Sequence, residues 1–170
     1  MRKYRIEIKW GFIFFGVTML WMLLERLVGL HSTHIDKHAY YTNLYAVPAI
    51  LVYVLALLDK RKRAFAGYMT YKQGFMTGLV VTAVVMLLSP VGQVIVAYAL
   101  SPSYFSNAAD YAVESGKLTE ESAREYFNLT SYIVQSLIGA LIMGLVTSAI
   151  VAIFTRKQPK AGGSSDNVAN

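Results

Sequence analysis

Three histidines fall close together, His31, His34 and His38, with Asp36 among them. On a helix, His34 and His38 stand one turn apart and His31 a turn before His34. Neutral imidazoles at that spacing can bind zinc, with Asp36 or Glu25 as a further ligand. Asp36 points away from the histidine face if the segment is helical. The competing reading makes the histidines polar residues of a membrane edge, or sensors of pH. A second constellation is Glu25 and Arg26, both within the outer third of an otherwise apolar run. Charges at membrane depth are costly and mark functional sites, unless they snorkel to the interface or pair with loop residues. Gln93, beyond a kink expected at Pro90, is placed to line the same polar spot.

Nothing in the chain adds up to a catalytic site. No serine–histidine–acid pattern and no close pair of carboxylates stands out, so a non-enzymatic protein without cofactors is expected. Neither GxxxxGK[ST] nor GxGxxG occurs, which removes the phosphate-cradling loops. With no cysteine, disulfide and thiolate chemistry are absent as well. Asn128-Leu-Thr130 matches a glycosylation sequon but lies too near an apolar run to be used.

The elements that must position these residues are transmembrane helices. Of the 170 residues, 55% are hydrophobic and only 15% charged, against about 25% charged in a soluble domain. Four apolar runs, at about residues 10–30, 41–58, 71–95 and 132–154, are each long enough to cross a hydrocarbon core of roughly 30 Å. The expected fold is all-α: a four-helix transmembrane domain over residues 1–158, followed by a disordered tail at 159–170. Twelve of the 16 cations fall on one side of these spans, so the positive-inside rule places both termini in the cytoplasm. The formal charge of +6 sits at helix ends instead of on a groove-complementary surface, which argues against nucleic acid.

Between the second and third spans, Lys60, Arg61, Lys62, Arg63 and Lys72 read as a lipid-interface anchor. Thr70 and Gln73 fit a capping box that starts the third helix at Tyr71. The outer loop at 101–131 carries two helical patterns, the first ended by Gly116, the second capped by Thr119 with Glu120 and Glu121 in its first turn. Its acidic face is the expected surface for a protein partner. Gly11, Gly16, Gly74, Gly78, Gly139 and Gly144 are candidate packing positions, within the bundle or in a homo-oligomer. KWGFIFFG at 9–16 and KQGFMTG at 72–78 open the two outward helices alike, suggesting two tandem hairpins.

The stretch GYMTYKQGFMTGLVV resembles a family of small bacterial membrane proteins, the domain-of-unknown-function family numbered 4199. The resemblance rests on Gly67, Met69, Thr70, Tyr71, Gln73, Gly74 and Gly78, with glutamine at 73 where glutamate is frequent. Gly11 and Gly16 of the first span, Leu100-Ser-Pro102 and the closing GLVTSAIVAIFTRK are also similar, so the likeness covers about residues 3–158. It implies a bacterial inner membrane and transfers no catalytic residues. The expected role is an accessory or scaffold subunit of an envelope assembly. A small oligomeric transporter using Glu25, Arg26 and Gln93, or a metal-binding protein using His31, His34 and His38, are the alternatives.

Overall fold

The computed structural model describes residues 4–159. Among the described residues seven α-helices follow one another: α1 (Arg5–Leu27), α2 (Ile35–Tyr41), α3 (Ala46–Ala64), α4 (Tyr71–Ile95), α5 (Tyr104–Glu114), α6 (Glu120–Tyr126) and α7 (Leu129–Thr155). A 3-10 turn at Thr42–Tyr45 fuses α2 to α3, and a π-helical turn at Val96–Leu100 extends α4. Four stretches, Arg5–Leu27, Ile35–Ala64, Tyr71–Leu100 and Leu129–Thr155, are long and apolar enough to cross a membrane. The protein is a multi-pass, all-α membrane protein. Large apolar side chains face outward, Leu87 and Phe154 among the most exposed, as expected where the surrounding solvent is lipid. Residues 160–170 of the expected tail, with Arg2, Lys3 and Lys160, lie outside the described residues.

The helices α4 and α7 form the tightest pair, and small residues explain why. Gly74 faces Ala152, Gly78 faces Ser148 and Gly144 faces Thr82: four residues up one helix match four down the other. A β-carbon on Gly78 would lie 2.6 Å from the Ser148 β-carbon and 3.2 Å from its α-carbon, so the backbones touch. The same antiparallel register continues past both helix ends, where Met69 N donates to the Lys157 carbonyl at 2.8 Å and Lys157 N returns the bond at 2.9 Å. Gly11 packs on Val84 of α4 in a similar way, but Gly16 and Gly139 face open space. Those two make no packing contact within the bundle, and Gly92, against Phe15 and Met19, is one that the sequence pattern did not single out. Beside the ladder, Tyr53, Ala56, Leu57, Met69, Val81 and Val151 close a hydrophobic core.

Local signals held at most helix ends. Thr70 and Gln73 make both bonds of the capping box, Thr119 accepts from Ser122 N, and Gly116 takes a positive φ after α5. Pro90 does not end its helix: α4 runs through it to Ile95. The proline removes the donor to the Met86 carbonyl, and the Ser89 hydroxyl supplies a replacement at 3.0 Å.

The basic run also ties helices together. Lys60 is buried in an ion pair with Glu7 at 2.7 Å, joining α3 to α1. Arg61 Nη1 donates to the Thr155 carbonyl at 2.7 Å, closing the end of α7. Asp59, unremarked in the sequence, gathers Lys9, Trp10 and Arg63. Lys62, Arg63 and Lys72 remain exposed. Proteins in water gain little from exposed pairs, but a buried one orients helices strongly, since neither charge tolerates loss of the other.

Candidate polar site at the capped end of the bundle

At the end of α1 the chain reverses. Gly29 takes φ +79°, and its own N–H and that of Leu30 bond back to the Arg26 and Glu25 carbonyls. A β-carbon there would meet Thr33 Oγ1 at 2.6 Å, so glycine is required. The turn carries His31 back over Glu25, and α2 then delivers His38 to the same place. Glu25 and His31 are each 2% exposed. Glu25 Oε2 lies 3.3 Å from His31 Nε2 and 3.5 Å from His38 Nε2. Its other oxygen, Oε1, accepts a hydrogen bond from Trp21 Nε1 at 2.6 Å.

A lid from the long outer loop covers the group. Tyr104 of α5 packs its ring 4.7 Å from His31 and 5.4 Å from His38, centroid to centroid. Asn107 Nδ2 donates to the His31 carbonyl at 2.8 Å, and Tyr104 meets the Tyr132 hydroxyl at 3.2 Å. Burial pushes the Tyr104 phenol far above its usual range, so it stays neutral. His31 Nδ1 has no hydrogen-bond partner among the described residues; the tilted contact with Tyr104 and the anchored carbonyl hold the ring instead.

The expected trio is therefore reassembled. His34 lies outside the group: it precedes α2, is exposed, and meets Thr33 Oγ1 at 3.2 Å. Glu25 takes its place, while Asp36 is exposed on α2. The His31–His34–His38 face assumed one helix, and Gly29 together with the turn through His34 breaks it. Trp21 stands one helical turn before Glu25, a spacing visible in the sequence. Tyr104 was legible only as part of the helical pattern that becomes α5, Asn107 carried no local signal, and neither pointed to the histidines.

The intramembrane trio Glu25, Arg26 and Gln93 is not brought together. Arg26 is exposed at the helix end. Gln93 instead lines a separate cavity of about 400 Å³ between the spans, with Phe15, Thr18, Met19, Asn43 and Gly139. Tyr45 lines it too, and its hydroxyl meets Thr18 Oγ1. Thr18 already donates to the Phe14 carbonyl, so Tyr45 is the donor in that pair. The cavity lies where the small-residue ladder ends at Gly144, because Gly139 and Ala140 leave little side-chain mass on α7.

No curated protein and no solved structure matches the chain. The profile of one family, described as protein of unknown function (DUF4199), matches residues 9–157, nearly the whole of the described bundle with its capping helices. The chain belongs to the DUF4199 family.

Proposed function

We propose that the protein is a non-enzymatic accessory or scaffold subunit of an envelope assembly in a bacterial inner membrane, with both termini cytoplasmic. The observation that carries this reading is the capping pair α5 and α6. Tyr104, Ala108, Ala109, Ala112 and Ala123 are buried, so the pair sits on the bundle and not loosely on lipid. Asp110, Glu114, Glu120, Glu121 and Glu125 are all exposed, against the cations Lys117 and Arg124. A docked, net acidic platform of this kind suits a basic protein partner, through rim charges that steer association. The cation-rich opposite end supports the cytoplasmic placement of the termini.

The test compares wild type with the variant Asp110→Asn, Glu114→Gln, Glu120→Gln, Glu121→Gln, each purified in mild detergent and weighed by native mass spectrometry. A stoichiometric partner held by the wild type and lost by the variant is expected. A lone monomer or a bare homo-oligomer in both would defeat the reading. The cavity favours a second reading, a carrier of small amphiphiles, with Gln93 and Asn43 as its polar contacts. Proteoliposome flux unchanged by Gln93→Leu would remove it.

A further inference from the structure

We infer that Glu25, His31 and His38 form a binding site for one divalent transition-metal ion of the zinc type. The inference does not depend on the accessory reading. Glu25 Oε2, His31 Nε2 and His38 Nε2 lie within 4.8 Å of one another, and both imidazole nitrogens lie within 3.5 Å of the same carboxylate oxygen. A charge-assisted N–H···O bond would bring them to about 2.7–2.9 Å; the actual separations are 3.3 and 3.5 Å. Two ligands on a tetrahedral ion with bonds of about 2.0–2.1 Å stand about 3.3–3.4 Å apart. The two carboxylate–imidazole spacings thus fit shared ligands of one cation better than a pair of direct hydrogen bonds.

The surroundings fit the same role. Trp21 occupies Oε1, which turns Oε2 toward the imidazoles, as outer partners of metal-binding carboxylates do. The Gly29 turn, the Asn107 bond to the His31 carbonyl and the Tyr104 ring fix both histidines before any ion arrives. Two imidazoles and one carboxylate select zinc, cobalt, nickel or copper over magnesium and calcium, which require more oxygen ligands. Three protein ligands leave a fourth position for water. The His38 side chain, 20% exposed, marks the side from which an ion enters.

Cobalt(II) is the probe. The full chain, purified without a polyhistidine tag and stripped with chelator, is titrated in detergent and followed by visible absorption. One equivalent should produce the intense band of a tetrahedral site, and zinc should abolish it. His38→Ala, at the more accessible ligand, should weaken binding by about 100-fold or more, since even an outer-shell loss costs about 10–100-fold. His34→Ala should bind as the wild type does, and circular dichroism of both variants reports that the helices persist. Absence of a saturable band would overturn the inference. So would a His38→Ala titration indistinguishable from wild type, or equal weakening by His34→Ala.

Discussion

Adding a single methyl group at Gly78 tests whether the ladder between α4 and α7 holds the bundle. The new β-carbon of Gly78→Ala would stand 2.6 Å from Ser148 Cβ and 3.2 Å from Ser148 Cα. Carbon atoms rest about 3.5–4.0 Å apart, so the helices must part by about 1 Å, and a gap of that order forfeits a quarter to a half of each contact's dispersion energy. The neighbouring contacts, Gly74 on Ala152 and Gly144 on Thr82, loosen with it. Hydrocarbon tails are as apolar as the helices, so no hydrophobic effect restores the contact. The expected cost is about 2 kcal/mol, within the usual range for overpacking. Ser148→Gly removes both the clashing carbon and a buried hydroxyl that has no partner among the described residues. The double variant should therefore recover about 1–2 kcal/mol relative to the sum of the singles. Steric-trap unfolding in bicelles measures all three. A Gly78→Ala protein within about 0.5 kcal/mol of wild type, or strictly additive effects, would refute the ladder. Gly139→Ala is the control, because open space surrounds Gly139 and its substitution should be neutral.

Other tests address the ends of the bundle. Glu7→Gln alone should cost about 3–5 kcal/mol by removing the carboxylate that neutralises the buried Lys60 ammonium, whereas Glu7→Leu with Lys60→Met should restore most of it; the same unfolding assay decides. Tyr104→Ala should release the cap, so hydrogen exchange in α5 and α6 accelerates while α4 stays protected; uniform protection would show that the ring does not hold it. Because the chain has no cysteine, single thiols at Arg63→Cys and Ser122→Cys report orientation cleanly. An impermeant maleimide should reach Ser122→Cys in intact cells and Arg63→Cys only after lysis, and the reverse order would turn the proposed topology over.

What was legible in the sequence was whatever acts within a few residues. The apolar runs located four spans, and Thr70 with Gln73 located the start of α4, because backbone hydrogen bonding and hydropathy are local. Glycine type alone could not separate Gly11, which meets Val84, from Gly16, which meets nothing; the difference is which way each faces once α1 has rotated against α4. The histidines were visible as a group, but membership was decided by a left-handed turn at Gly29 and by contacts distant in sequence. His31 and Tyr104 are an example: a loop from beyond α4 supplies the ring that fixes an imidazole after α1. Pro90 was read by its usual effect, and the compensating Ser89 bond lay one residue away, in plain sight.

The two halves of the bundle are held by different chemistry, and this bears on where a ligand could act. Toward the termini, the Glu7–Lys60 pair ties α1 to α3, Arg61 ties α3 to α7, and the Met69–Lys157 bridge ties α7 to the start of α4. Moving any of these helices there would strand a buried charge or a backbone group, each costly where water is scarce. Toward the cap the ladder has ended, a cavity separates the spans, and the polar group of Glu25, His31 and His38 takes over. Trp21 connects the two: its N–H holds Glu25, its ring packs 5.9 Å from that of Tyr45, and Tyr45 bonds Thr18 on the cavity wall. An ion held by Oε2 and the two imidazoles would be tied to the cavity wall through this same chain of contacts. Any strain it imposed would fall on that wall, because the opposite half is tied by buried charges and backbone bonds.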